Sequence, residues 1–247
     1  MTMSRLAQLA LVAAALTPAS LLAQYGAGRE VSFTIRVENV STPTTLKLSN
    51  GTTAPAPTAP ILWTVTDEGN PLFTAGKPDR GQGLERLAED GNPGVLADYI
   101  VANMKSVAHS GVVTVPVGDK GPGPITPGKA FEFTISAAPG QRLTLAMMFG
   151  QSNDLFYAPG SKAIALFDSK GQPLTADITS QLQLWDTGTE VNEEPGLGAN
   201  QAPRQAAPNT GTAEKGNVML VKDQFRYPSV RDVVRVSVKP TMTAATH

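Results

Sequence analysis

A strict alternation of side chains near the start of the chain constrains its fold most strongly. In residues 30–40, "EVSFTIRVENV", Val31, Phe33, Ile35 and Val37 are apolar and the residues between them are polar. Successive side chains of a β-strand point to opposite faces of the sheet. The pattern therefore predicts a strand with one buried and one solvated face, which is typical of antiparallel sheets.

Other segments repeat this strand pattern, with turn residues between them. Residues 129–154 predict two strands joined by a Pro139-Gly140 turn, and residues 162–174 predict a hairpin with Gly171 in its turn. Residues 233–240, "VVRVSVKP", predict a last strand. The chain of 247 residues contains 23 glycines and 20 prolines, a composition that favours many short strands joined by turns.

One region, residues 83–106, has helical spacing instead. It predicts a short helix through Leu84–Glu89, and then a second helix with Asn92 at its N-cap and Pro93 at its first position. A helical stretch between strands indicates a crossover packed on one side of a sandwich. The predicted fold class is therefore all-β, an antiparallel β-sandwich with one or two short helices in a crossover.

The first residues predict where the protein works. Residues 1–23 contain one basic residue, Arg5, an apolar run from Leu6 to Leu16, and then small residues. This is the layout of a secretory signal peptide, and the apolar run is too short to span a bilayer. We therefore expect an exported protein, secreted or periplasmic, with no transmembrane segment after cleavage.

Composition argues against several classes of function. The 20 basic and 21 acidic side chains nearly balance, which gives no reason to expect a nucleic-acid partner or a polybasic membrane surface. Cysteine is absent, and the histidines are His109 and His247, so the usual zinc ligands are missing. No G-x-S-x-G motif occurs. We therefore predict a protein that is not an enzyme.

Acidic residues collect in one glycine-containing segment, residues 184–196, "LWDTGTEVNEEPG". It contains Asp186, Glu190, Glu193 and Glu194 with no lysine or arginine among them. Unpaired carboxylates repel one another, and a divalent cation removes that repulsion. Hard cations such as Ca²⁺ take six to eight oxygen ligands, often from loops. The segment therefore predicts a cation site.

Further ligands are expected where other strands end, because strands that stop at one edge of a sandwich bring their end residues together. Asp154 ends "LTLAMMFGQSND" and Asp168 ends "AIALF". The predicted metal ligands are Asp154, Asp186, Glu190 and Asp168, and the predicted ion is Ca²⁺, with Mg²⁺ as the alternative.

Other interpretations of the same residues stay open. Asp154 and Asp168 also fit turn residues that bind nearby backbone N–H groups, and Glu193 and Glu194 fit a solvated charge pair. Two carboxylates could serve a carbohydrate-active hydrolase, although two Trp and four Tyr are few aromatic residues for a sugar-binding cleft. Residues 191–217 lack large apolar side chains, and a loop of that length is functional or disordered.

Several stretches together resemble the spondin domain, and more closely the stand-alone spondin-domain proteins that bacteria export. The most specific are "QSNDLFYAP" (151–159) and "LWDTGTEVNEEPGLGANQAPRQ" (184–205). The others are "PLFTAG" (71–76), "LAEDGNP" (87–93), "SGVVTVPVG" (110–118) and "PITPGKAFEFTISAAPGQRL" (124–143). The resemblance covers residues 29–239, which leaves residues 240–247 as a C-terminal tail.

The resemblance implies a C2-like β-sandwich with a divalent-cation site, generally calcium, at one end. The animal motifs S-P-D-W and W-D-A-G-T-D correspond to residues 152–155 and 185–190, which carries the ligand role to Asp154 and Asp186 and then to Glu190. Animal relatives act in matrix and cell adhesion. They use disulfides, however, which this chain lacks, so the partner, a cell-envelope, matrix or glycan ligand, is left open.

Overall fold

The computed structural model describes residues 29–241. The predicted signal peptide and most of the C-terminal tail lie outside the described residues. The strands are β1 (Val31–Asn39), β2 (Leu46–Lys47), β3 (Thr53–Ala54), β4 (Ile61–Thr66), β5 (Val107–Val113), β6 (Ala130–Ala137), β7 (Arg142–Met148), β8 (Leu155–Pro159), β9 (Ile164–Ala165), β10 (Ala176–Asp177), β11 (Leu182–Asp186), β12 (Met219–Leu220) and β13 (Val234–Pro240). The helices are α1 (Leu84–Asp90), α2 (Gly94–Asn103) and α3 (Val230–Val233), with a 3₁₀ turn at Thr179–Gln181.

The described strands form two main antiparallel sheets, which confirms the all-β sandwich. The smaller sheet has the order β10-β13-β1-β6. The larger has the order β12-β11-β8-β7-β4-β5, with β9 also pairing with β7. The short hairpin β2–β3 stands apart from both. In β1 the predicted alternation holds, because Phe33, Ile35 and Val37 are fully buried and the residues between them are partly exposed.

The two sheets enclose one apolar core. Phe33 and Ile35 of the smaller sheet belong to the same buried cluster as Leu145 of β7 and Tyr157 of β8. Burial of such side chains contributes about 1.5–3 kcal/mol each relative to leaving them exposed. This inner core holds the sheets face to face.

The outer face of the larger sheet is covered by α1 and α2. Leu87 of α1 and Leu96 of α2 pack in a second apolar cluster with Phe156 of β8 and Trp185 of β11. The predicted helical crossover therefore lies on one side of the sandwich. As a result β7, β8 and β11 have apolar side chains buried on both faces, and the loops at their ends are fixed by packing.

The two helices are joined by a sharp turn. Gly91 ends α1 with φ of 64°, in the left-handed region that glycine adopts without strain. A Cβ at Gly91 would also lie 2.6 Å from Cβ of Ala59. The second helix begins at Gly94, one residue later than predicted, with Pro93 in the N-cap position. Asn92 still accepts a hydrogen bond from the N–H of Gly94 at 3.0 Å.

Within residues 29–241, no helix has the length and apolar character needed to cross a membrane.

Candidate cation site at one end of the larger sheet

The pairing of β8 with β11 brings Asp154 and Asp186 to the same edge of the larger sheet. These strands are antiparallel, and Leu155 pairs with Asp186. Asp154 immediately precedes β8, so it lies opposite Thr187, whose N–H donates to the Asp154 carbonyl at 3.2 Å. Two acidic motifs that are 32 residues apart in the chain thus meet at one place.

Asp154 is fully buried and organises the segment after β11. Four donor groups lie within hydrogen-bond distance of its Oδ2: Thr187 Oγ1 at 2.8 Å, the N–H of Thr189 at 2.9 Å and its Oγ1 at 3.2 Å, and the N–H of Glu190 at 3.1 Å. Its other oxygen, Oδ1, is also buried, and no donor in the described residues reaches it. A buried carboxylate oxygen without a partner is costly, so Oδ1 is the first oxygen expected to bind a cation.

Asp186 is partly buried beside Asp154. Its Oδ1 accepts from the N–H of Gly188 and its Oδ2 from Nδ2 of Asn192, both at 2.6 Å. Burial, and then the charge of Asp154, raise the pKa of Asp186 to about 7. The site therefore disfavours the ionised form of Asp186 relative to a solvated carboxyl group, and a nearby positive charge would favour it.

Glu190 is also buried, with its side chain turned to other partners. Oε1 accepts from the N–H of Gly211 at 2.8 Å and Oε2 from Nδ2 of Asn153 at 3.3 Å. Burial raises the pKa of Glu190 above its usual value. Its backbone forms a β-bridge with Ala213, so Glu190 also joins the start of the acidic loop to its end.

The structure does not bring Asp168 to this cluster. Asp168 follows β9, which pairs with Arg142 and Leu143 at the start of β7, whereas Asp154 lies beyond the end of β7. Its Oδ1 accepts from the N–H groups of Lys170 and Gln172 at 2.8 and 2.9 Å. Asp168 is thus an exposed turn residue, as the alternative interpretation had it, and it cannot share an ion with Asp154.

The neighbouring acids, Glu193 and Glu194, are both hydrogen-bonded, Glu193 within the loop and Glu194 to the turn of the β2–β3 hairpin. The two oxygens of Glu193 accept from the N–H and Nδ2 of Asn200 at 2.9 and 2.7 Å. Those of Glu194 accept from the N–H and Oγ of Ser49, both at 2.6 Å, which lowers the pKa of Glu194. They are therefore bound to different segments instead of forming a solvated pair.

Residues 191–217 form a closed loop with its own hydrogen bonds. The N–H of Val191 donates to Thr212 at 2.7 Å, and the N–H of Gly216 donates to Gly188 at 2.8 Å. Gln201, fully buried, accepts from the N–H of Gly196 at 2.9 Å and donates to the carbonyl of Glu194 at 2.8 Å. Polar bonds replace the missing apolar side chains, so the loop has a defined shape.

Sequence reasoning missed two oxygen-bearing side chains beside the predicted ligands. Glu89 of α1 is 1% exposed, and burial raises its pKa to about 8. Asn192 has a buried Oδ1 without a partner. Both lie within the motifs quoted above, in which the local pattern around Glu89 indicates only a helix. A charged residue directly after the buried pair Leu87 and Ala88 was the signal that could have identified it.

These oxygens fit a hard cation by their chemistry. The described residues contain no preassembled group of three or more His, Cys, Asp or Glu side chains at metal-binding distance. An ion would therefore use amide and backbone oxygens as well, which is usual for Ca²⁺. No salt bridge in residues 29–241 involves Asp154, Asp186, Glu190 or Glu89. The cluster thus has buried acceptors, of which Asp154 Oδ1, Glu89 Oε2 and Asn192 Oδ1 are unpartnered, and it has no ion-paired lysine or arginine within the described residues.

The fold and this cluster define an antiparallel β-sandwich with a buried acidic cluster at one end. A scan against protein-family models finds no match for the chain, and a search of curated proteins finds no relative.

Proposed function

We propose that the chain is an exported, non-enzymatic β-sandwich of the spondin type that binds a divalent cation, Ca²⁺ in preference to Mg²⁺, at the edge formed by β8 and β11. Asp154, Asp186 and Glu190 supply carboxylate ligands. The observation that carries the proposal is the buried, donor-free Oδ1 of Asp154 next to Asp186. A bound cation supplies the positive charge that the described residues leave missing.

The role of the cation in this proposal is to fix a recognition surface. Asp154 contacts residues 187–190 at the start of the loop, and Glu190 contacts Gly211 near its end. An ion bound to the carboxylates of Asp154 and Glu190 would hold the loop in place at its start and near its end. The surface of residues 186–217 then stays in one conformation for a cell-envelope, matrix or glycan ligand, which is a role in adhesion.

Titration with Ca²⁺ and Mg²⁺, followed by calorimetry and by thermal unfolding with and without chelator, tests the cation site. A ligand present at about 100 times its Kd stabilises a protein by about 2.7 kcal/mol. For a domain of this size that corresponds to a rise in Tm of roughly 5–10 °C. Asp154→Asn and Asp186→Asn should abolish the rise.

Asp168→Asn is the matched control, because it removes a carboxylate that ends a strand at the other end of the sheet. It should keep the full calcium-dependent rise. If the wild-type protein shows neither heat of binding nor a shift in Tm, the acidic loop is only a structural and solubilising feature.

For the rival function, a carbohydrate-active hydrolase using two of these carboxylates, the contacts of the two tryptophans give no support, because each ring packs against a phenylalanine. Trp185 is buried against Phe73, with ring centroids 4.8 Å apart. Trp63 stacks on Phe133 at 6.0 Å. Alanine variants of Asp186 and Glu190, assayed on glycan substrates, separate the two functions, since a loss of turnover would favour the hydrolase.

A further inference from the structure

Two buried carboxylates share a single hydroxyl group at the acidic cluster. Thr189 Oγ1 lies 2.9 Å from Oε1 of Glu89, 3.2 Å from Oδ2 of Asp154 and 2.7 Å from Oγ1 of Thr187. A threonine hydroxyl has one proton to donate. The hydroxyl group of Thr189 therefore cannot donate to Glu89 and Asp154 at the same time. Glu89 and Asp154 compete for this one proton.

The second oxygen of each carboxylate has no donor. Oε2 of Glu89 and Oδ1 of Asp154 are both buried and unpartnered within the described residues. Glu89 is 1% exposed and Asp154 is 0% exposed, so water at the surface does not replace the missing donors. The nearby cation on α1, Arg86, binds Asp90 at 2.8 Å.

Packing of α1 places Glu89 at the cluster. Leu84 and Leu87 fix α1 against the outer face of the larger sheet, and α1 ends at Gly91, two residues after Glu89. Next to it, Asp90 accepts a hydrogen bond from Nε2 of Gln205 in the acidic loop at 3.0 Å. Helix α1 and the loop therefore already meet at two places, Thr189 with Glu89 and Gln205 with Asp90.

We propose that Glu89 is a further ligand of the cation, so that one ion joins α1, the residue before β8 and the loop after β11. The inference rests on the proposed cation site and adds the helical crossover to it. A cation near Oε2 of Glu89 and Oδ1 of Asp154 supplies both orphan oxygens with a positive partner. Thr189 Oγ1 is then free to donate to either carboxylate.

Calorimetric titration of Ca²⁺ into Glu89→Gln tests the proposal. The substitution keeps the shape of the side chain and removes its charge, and we expect binding at least tenfold weaker than in the wild type. Asp98→Asn is the control, because it removes an exposed carboxylate of the neighbouring helix α2 that makes no hydrogen bond to the cluster. Equal affinity of Glu89→Gln and the wild type would overturn the inference.

Hydrogen exchange gives a second readout that does not depend on how a variant folds. In the wild-type protein, Ca²⁺ should slow exchange at the amides of α1 as well as at residues 187–190. An unchanged rate in α1 would overturn the inference even if the loop responds. Loss of calcium binding in Asp186→Asn but not in Glu89→Gln would reject the role of Glu89 and leave the proposed function standing. A wild-type protein without affinity for Ca²⁺ would reject both.

Discussion

Thr187 Oγ1 donates a hydrogen bond of 2.8 Å to Oδ2 of Asp154 and so joins the end of β11 to the residue before β8. Both residues are fully buried. This contact holds the acidic loop on the sandwich independently of any cation. The two oxygens of Asp154 therefore differ: Oδ2 organises the loop, and Oδ1 has no donor within the described residues.

Replacement of Thr187 by Val should destabilise the protein. The methyl group that replaces the hydroxyl keeps the volume but removes a donor from a buried carboxylate, which costs about 1–3 kcal/mol. Urea unfolding measures the loss. Thr134→Val, at an exposed position of β6, is the control and should change stability by less than about 0.5 kcal/mol. Equal stability of the two variants would show that the contact does not hold the loop.

Without divalent cations, the protein should lose stability as the pH rises. Burial raises the folded-state pKa of Asp186 to about 7 and that of Glu89 to about 8, above their values in the unfolded chain. Their stabilising contribution is therefore complete below about pH 4 and is lost as the pH rises through 7 and 8. One proton corresponds to at most about 1.4 kcal/mol per pH unit, and solvent screening reduces this at the partly buried Asp186.

Unfolding in chelator between pH 5 and pH 9 measures this dependence. Glu89→Gln and Asp186→Asn should each reduce the dependence of the unfolding free energy on pH, because each variant removes one titrating carboxyl group. With saturating Ca²⁺, the unfolding free energy should instead rise with pH, since the ion favours the ionised carboxylates. A chelated wild-type protein that gains stability from pH 5 to pH 9 would contradict the prediction.

Gly188→Ala should disrupt the closure of the loop. Gly188 has φ of 70°, and a Cβ there would lie 2.8 Å from the backbone of Gly216 and Asn217. Gly51→Ala is a matched control, because Gly51 has φ of 83° with no atom within 4 Å of an added Cβ. Both variants carry similar backbone strain, so a further 1–3 kcal/mol, roughly, in Gly188→Ala measures the steric clash. Similar unfolding free energies for the two variants would show that the loop moves aside freely.

Gln201→Ala should make residues 191–217 susceptible to proteolysis while leaving the sandwich intact. The change removes the buried bonds to Gly196 and Glu194, and local opening of a loop requires less free energy than global unfolding. Limited proteolysis with peptide mapping measures the cleavage rate. Thr212→Ala, at an exposed position of the same loop, keeps the backbone bond to Val191 and should leave that rate unchanged. Cleavage spread over the whole chain would indicate global destabilisation instead.

The fold was predictable because its strands carry local signals. The alternation in residues 31–37 gave β1, and Pro139-Gly140 marked the turn between β6 and β7. Helices α1 and α2 were also predicted, but the predicted start of α2 is one residue too early. The reason is that Asn92, which accepts the hydrogen bond from the N–H of Gly94, lies one residue before the N-cap and not at it.

The cluster was predictable only in part. The sequence indicates where a strand ends, but it does not show at which edge of the sheet that residue lies. Asp154 and Asp168 both follow strand-like segments, yet the start of β9 pairs with the start of β7 and separates them. Glu89 belongs to the cluster through tertiary packing of α1, which no local pattern of residues 84–90 specifies. The direction of the Asp154 oxygens likewise depends on donors that lie 33 to 36 residues away.

The position of β13 has a consequence for the newly made polypeptide. This last strand is inserted between β10 and β1, and its residues 234–240 pair with residues 33–39. Contacts between such distant segments form late and slowly. The smaller sheet therefore cannot be completed until residues 234–240 have been synthesised, and an unfinished polypeptide leaves one edge of β1 without its partner strand.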